Sequence, residues 1–419
     1  MSKVHIGDIT DSCLGKMLDA EKNKGEYAPY LANINVRWGE FDLSDLPQMR
    51  FLPNEQERYG LVNGDLVMCE GGEPGRCAIW RDQIPGMKIQ KALHRIRVKE
   101  GVDVRWLYYW FLMCGQRHLL DRFFTETTIK HLPGDKLKEL ELELPTYQAQ
   151  RNIADVLSSL DNKIQHNNAI CSELESMART LYEYWFVQFD FPDESGRPYK
   201  SSGGAMEWNA ALKREIPKGW KSGQMKDLIS DVRTGLNPRQ NFKFSDGGIR
   251  YLTVKNLTAE GRIDFSGCDM IDEEARSIVH RRSCIQKGDI LFASIAPLGR
   301  CYLIQSPPED WDINESVFSL RPNKDTCTPI YLYLVLKSDR FIIASTNSSA
   351  GSIFKGIRIN TMLGMNTVVP DIKVLRRFEE ETSKYMKMHE KIVIESVELT
   401  KLRDDLLPIL MNGQATVTG

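Results

Sequence analysis

The sequence predicts an α+β chain made twice over, in the order globular domain, long helix, globular domain, long helix. Three observations carry this expectation. They are an internal repeat with a shift near 224 residues, a seven-residue apolar period in two stretches, and a Pro-, Gly- and Ser-rich break between the halves. At 419 residues the chain has room for two or three ordinary domains.

The repeat is colinear. Asn63-Gly64-Asp65-Leu66-Val67 matches Lys287-Gly288-Asp289-Ile290-Leu291, and the same shift of 224 sets Gly75-Arg76-Cys77 on Gly299-Arg300-Cys301. It also sets Arg97 on Arg321 and Leu107-Tyr108-Tyr109 on Tyr331-Leu332-Tyr333. One residue of slippage later, Lys130 meets Lys355 and Pro145 meets Pro370. Upstream, Tyr30-Leu31 with Asn35 matches Tyr251-Leu252 with Asn256 at a shift of 221. Each copy begins as mixed α/β. Leu66-Val67-Met68 and Ile290-Leu291-Phe292 are strand-like runs after Gly-Asp turns, while residues 105–122 and 329–345 are helical runs rich in core aromatics.

Each copy ends in a long helix. Ile153, Leu160, Asn167, Leu174 and Leu181 recur every seven residues after Pro145, and Phe378, Tyr385, Ile392, Leu399 and Leu406 do so after Pro370. A heptad kept this long predicts a coiled-coil seam, with Asn167 as a register-fixing or locally fraying position. The expected divisions are a first domain at 1–147, a central helix at 148–190, a linker at 191–215, a second domain at 216–371, a distal helix at 372–412 and a tail at 413–419. Matching seams bury each other most simply as an antiparallel coiled coil, which makes the chain pseudo-two-fold symmetric. Duplex DNA has matching two-fold axes. Helices of about 54 Å, at 1.5 Å per residue, reach across the roughly 34–36 Å that separates half-sites in dimeric readers.

Composition and motifs narrow the alternatives. There are 55 basic and 57 acidic residues, for a net charge of −2, so DNA binding has to come from clustered faces rather than bulk charge. The nine cysteines include no C-x-x-C pair, which argues against a disulfide framework or a zinc site. Gly15-Lys16 has Thr10 where a P-loop needs its first glycine, and neither a G-x-G-x-x-G after a strand nor an H-E-x-x-H occurs. The opening MSKVHIGDIT has no apolar signal region, and no apolar run is long enough for a bilayer, so a cytoplasmic protein without membrane contact is expected.

With these features in place, the chain resembles the specificity (S) subunit of type I restriction-modification enzymes, the HsdS family. The resemblance rests on Leu132-Pro133-Gly134-Asp135 followed by Leu144-Pro145 and Gln150-Arg151 at the central helix start. Ile216-Pro217-Lys218-Gly219-Trp220, Asp227-Leu228 and Gly288-Asp289-Ile290-Leu291 extend it across nearly the whole chain. Two departures stand out. The first copy lacks the Pro-x-Gly-Trp opening, and the distal helix has Val374-Leu375-Arg376-Arg377 in place of a Gln-Arg start. The resemblance implies two target-recognition domains, each reading one part of a split double-stranded DNA sequence, with the helices setting the gap. It implies a chain with no catalysis and no cofactor of its own. Two modification (methyltransferase) subunits would bring S-adenosylmethionine, and restriction subunits would bring ATP. A coiled-coil adaptor that binds only proteins is the alternative.

Candidate DNA contacts are basic or amide side chains in loop-like segments. In the second domain these are Arg233, Asn237, Arg239, Lys243 and Arg250, then Arg300, Lys355 and Arg358. In the first they are Arg37, Arg76, Lys130 and His131. Arg76 with Arg300, and Lys130 with Lys355, occupy repeated positions. Such a residue serves equally well to cap a carbonyl or pair with a carboxylate within a duplicated turn.

Overall fold

The structure, a computed structural model, describes residues 2–19, 21, 23–126, 130–265, 267–348 and 356–417. The chain forms two compact units, residues 1–165 with 397–419 and residues 166–396. It is a mixed α/β protein in which two helices, Tyr147–Tyr182 and Ile372–Met411, far exceed all others in length.

In the first unit the strand Ser2–His5 pairs antiparallel with Glu141–Leu144, the strand just ahead of the central helix. A four-stranded antiparallel sheet follows, in the order Thr10–Leu14, Leu93–Val98, Leu66–Cys69, Cys77–Ile79. A three-stranded sheet has Glu26–Leu31 between Gln48–Phe51 and Lys88–Ile89, and its second pairing is parallel, with Leu31 opposite Ile89. Leu66–Cys69 is buried along its whole length because alternate side chains serve two cores. Leu66 and Met68 pack with Trp106, Phe111 and other residues of the helix Val104–Gln116, while Val67 and Cys69 pack with Trp80 and Leu31.

The second unit repeats this plan. Lys221–Gln224 pairs with Asn366–Val369. The four-stranded order is Ile229–Thr234, Val317–Pro322, Ile290–Ala293, Cys301–Leu303. The three-stranded order is Asp269–Ile271, Ile249–Leu252, Trp311–Ile313, again with a parallel pair in which Leu252 faces Ile313. Ile290 and Phe292 enter one core, and Leu291 and Ala293 the other. The hairpin Met206–Asn209 with Arg214–Pro217 has no counterpart among the described residues of the first unit. The helical run expected over 329–345 is two helices, Pro329–Lys337 and Asp339–Ser348, separated at Ser338, whose backbone is extended and whose hydroxyl bonds the Val335 carbonyl.

The Gly-Asp turns acquire a physical reason in both units. Gly64 and Gly288 hold φ near +90 and +89, a region where glycine carries no side-chain penalty. The following aspartates are buried and take two parallel bonds from an arginine. Arg97 reaches Asp65 at 2.7 and 2.9 Å, and Arg321 reaches Asp289 at 2.8 and 2.9 Å. The matched Arg97 and Arg321 thus close the same ion pair twice.

Each unit contains a stretch of both long helices, and in each the residue numbers fall along the distal stretch as they rise along the central one. In the first unit Asn152 bonds the Val417 carbonyl at 2.9 Å and Arg403 meets Asp161 at 2.8 Å. In the second, Asn167 donates to Glu395 at 2.7 Å, and Trp185 packs 5.5 Å from Phe378 between ring centroids. Ile153, Asn167, Leu174 and Phe378 are buried, while Leu160, Leu181, Tyr385, Ile392, Leu399 and Leu406 are half-buried. A second row accompanies them, with Leu157, Cys171, Ala178 and Trp185 on the central helix and Leu375, Thr382, His389 and Leu410 on the distal one. The central helix ends in a π-helical turn, Glu183–Val187, where Trp185 and Phe186 join Trp220, Tyr331 and Phe378 in the second unit's core.

Candidate nucleic-acid interface

In the second unit the segment between strands Ile229–Thr234 and Ile249–Leu252 leaves the sheet at Gly235. A Cβ there would sit 1.6 Å from the Ile313 carbonyl oxygen, so only glycine permits the crossing. Beyond it Arg239 and Lys243 are exposed, whereas Asn237 is half-buried and its carbonyl accepts from Asn241 at 2.9 Å. Arg358 is exposed at the start of the helix Ile359–Leu363. Arg233 and Arg250 are partly committed. Arg233 bonds Asp231 at 2.6 Å, which holds its guanidinium above the usual range. Arg250 pairs with Asp310 and lies 4.9 Å from the Phe265 ring centroid. Lys355 lies outside the described residues.

Gly15 makes the matching close approach in the first unit, 2.4 Å from the Gln90 carbonyl oxygen to a built Cβ. Lys16 beside it is buried, donating to Glu55 at 2.5 Å and to the Arg50 carbonyl at 2.8 Å. Burial with two partners makes that ammonium an internal tie. Lys130 is exposed, with its ammonium 6.0 Å from the Phe124 ring centroid, and His131 is half-buried beside Gly71. Arg37 is exposed but bonds the carbonyl of Ile34 at 2.5 Å.

The paired Arg76 and Arg300 share one structural task. Each donates to a carbonyl 43 residues upstream, Arg76 to Asn33 at 3.3 Å and Arg300 to Leu257 at 3.1 Å. Those carbonyls belong to, or directly follow, the 3₁₀ turns Asn33–Asn35 and Val254–Asn256. Arg76 also pairs with Glu73 at 2.6 Å. The repeat preserves a tie between two turns.

A further set of cations lies on the helix Glu273–Ser283. Asp272 caps its start by accepting from the Ala275 N–H at 2.8 Å, and its last turn carries Arg281 and Arg282, both exposed, with exposed Lys287 just beyond. Cations at that end complement the helix dipole. His280 is anchored at 2.9 Å to Asp312, a buried carboxyl that burial pushes above its ordinary range. Acid in the first turn and base in the last were the available sequence signal; the matching place in the first unit, between Gln48–Phe51 and Leu66–Cys69, holds only the short helix Gln56–Tyr59, whose Arg58 aligns with Arg282.

These groups can hold phosphates and present donors to base edges. Among the described residues no cluster of His, Cys, Asp or Glu is arranged to hold a metal ion, and no helix is long and apolar enough to cross a membrane.

Both units thus carry the same sheet order, and the second presents exposed basic residues on its outer segments. Residues 1–176 match the type I restriction modification DNA specificity domain. The chain is similar to type I restriction-modification specificity subunits. It is 27% identical over 362 residues to the type I restriction enzyme MjaIX specificity subunit of Methanocaldococcus jannaschii, covering 84% of this chain and 78% of that one. It is 20% identical over 423 residues to the MjaVIII specificity subunit of the same organism, covering 99% and 92%. Its fold resembles the crystal structure of the type I restriction-modification S subunit from M. genitalium, with a TM-score of 0.51 at 17% identity over 98% of this chain and 95% of that one.

Proposed function

We propose that this chain gives a type I restriction-modification complex its DNA sequence. Each unit contributes one target-recognition domain that reads one part of a bipartite site. The helix pair acts as an antiparallel coiled coil that spaces those domains and docks two methyltransferase subunits. In this reading the chain is non-catalytic, and S-adenosylmethionine and ATP belong to partner subunits. The observation that carries it is the twofold use of one strand order, with the same parallel pairing in the small sheet, while the outer loops differ. A scaffold used twice with different exposed side chains suits two different half-sites. This reading assigns DNA contact in the second unit to the exposed Arg239, Lys243 and Arg358, with Arg281 and Arg282.

Methylation mapping of genomic DNA tests it, in cells carrying the partner subunits with and without this gene. The expected result is one bipartite motif, with a fixed unread gap, that is methylated only when the gene is present. A methylation pattern identical in both strains, together with sequence-independent binding of duplexes by the assembled complex at every salt concentration, favours the protein-only adaptor.

A further inference from the structure

A cavity of about 700 Å³ lies within the second unit, and none of the candidate DNA contacts lines it. Its walls come from the end of the central helix, the hairpin residue Arg214, the helices Pro329–Lys337 and Asp339–Ser348, and the strand Asn366–Val369. Tyr331, Leu334, Val335 and Phe341 give it an apolar side. The volume suits a small molecule rather than a duplex.

The cations around it are not equally satisfied. Lys337 pairs with Glu175, and Arg179 pairs with Glu183 at 3.1 Å and Asp339 at 2.9 Å. Among the described residues no carboxylate pairs with Arg214. One of its terminal nitrogens donates to the Phe186 carbonyl at a long 3.4 Å, and its guanidinium lies 4.7 Å from the Phe189 ring centroid. Its Nε is buried with no hydrogen-bond partner. Arg340 lines the same cavity, and among the described residues no carboxylate pairs with it either. Burial, and then repulsion from Arg340, hold the Arg214 guanidinium below its ordinary range. Arg340 is exposed, but the buried Arg214 Nε is an unmade donor beside a second cation, and the cavity's Glu183 and Asp339 are already engaged by Arg179, so an anion in this space would meet both arginines.

We propose that this cavity binds a small oxyanion carried on an apolar body, with Arg214 and Arg340 gripping the oxyanion and Tyr331, Leu334 and Phe341 holding the body. The planar fork of arginine matches the paired oxygens of a phosphate or carboxylate. Tyr182, whose phenol burial pushes up to about 12, stays a neutral hydroxyl on the same wall. The hairpin that supplies Arg214 has no counterpart among the described residues of the first unit, so one such site is expected.

Isothermal titration calorimetry of the full chain with phenyl phosphate, phenylacetate and inorganic phosphate, at constant ionic strength, decides it. One saturable site for phenyl phosphate is expected, weakened at least tenfold in both Arg340→Ala and Arg214→Met. Arg340 is exposed, so its variant remains informative if the buried substitution fails to fold. Tighter binding of phenylacetate supports the same site with a carboxylate as its anion. Absence of heat from both aromatic probes, or unchanged affinity in Arg340→Ala, overturns the proposal. Inorganic phosphate binding as tightly as phenyl phosphate removes the apolar half of it.

Discussion

The two units solve one design problem with shared internal ties and different outer ones. Both keep the Gly-Asp turn with its arginine, and both keep the asparagine that closes a 3₁₀ turn. Asn35 accepts from the Ala32 N–H, and Asn256 accepts from the Thr253 N–H, each at 2.9 Å. They part where the aromatic helix meets the long helix. In the first unit Asp103 caps the helix Val104–Gln116, and Gln150 of the central helix is fully buried beneath it. That amide accepts from the Asp103 N–H at 2.9 Å and donates to the carbonyls of Pro145 and Gly101 at 2.9 and 3.2 Å. In the second unit Leu375 is fully buried at the matching helix position, and Glu379 instead accepts from the Ile330 N–H at 3.2 Å. Buried backbone donors have to be met, but duplication does not dictate by which residue. The missing Gln-Arg start of the distal helix is therefore a change of partner, with the cap moved one turn along.

Breaking the shared tie has the largest expected effect. Asp289→Ala leaves the Gln286 N–H and the Ser319 hydroxyl unmet and takes two carboxylate bonds from Arg321, which keeps the Cys284 carbonyl at 2.9 Å, and a loss of about 3 kcal/mol is expected. Asp65→Ala costs less, because Arg97 is 36% exposed against 23% for Arg321 and water partly replaces the carboxylate. Urea unfolding of both variants checks the ranking. A loss below about 1 kcal/mol in Asp289→Ala means that the repeated ion pair does not hold the scaffold.

The divergent tie sharpens the contrast. Gln150→Leu makes the first unit resemble the second but leaves the Asp103 N–H and two carbonyls unmet, at about 2–3 kcal/mol. Leu375→Gln makes the reverse exchange and buries an amide where no such set of partners waits, at about 2 kcal/mol. Equal stability for either exchange, read from the same unfolding curves, breaks the claim that each unit is committed to its own cap.

The same contrast explains what a reader of the sequence sees. Gly64, Asp65 and Arg97 repeat as Gly288, Asp289 and Arg321, so the duplicated scaffold shows itself as matching letters. The function of those letters does not show, because the arginine meets its aspartate only after strands 32 residues apart come together. One row of the helix seam is visible through its apolar period. The other is masked on the distal helix, where Thr382 and His389 are buried but polar. For Arg76 and Arg300 the sequence leaves a DNA contact and a carbonyl cap both open, and each is tied to a carbonyl 43 residues away, a partner that only the fold reveals. Arg281 and Arg282 escape notice because their helix, Glu273–Ser283, shrinks to the short Gln56–Tyr59 in the first unit, so the repeat does not announce it. A repeat search finds what both halves keep and passes over what they do not.

The smallest expected effect is a difference in pH response between the two sheets. His94 is buried in the first sheet, opposite Leu14 and Met68, and its ring meets the Leu132 carbonyl at 2.9 Å. The matching position is Phe318, opposite Thr234 and Phe292. Burial holds the His94 imidazole below its ordinary pKa of 6.5, and the bond to the Leu132 carbonyl only partly offsets that. The unfolded chain therefore takes up this proton first as pH falls. Stability present above about pH 6.5 is lost on acidification, until the folded protein protonates as well. His94→Phe should flatten that part of the stability profile between pH 7 and 5, whatever it does to the absolute level. The buried His389 of the second unit, also held below its ordinary range by burial, keeps its own contribution. Unfolding free energies at four or five pH values give the two slopes, and parallel slopes for parent and variant would remove His94 from the account.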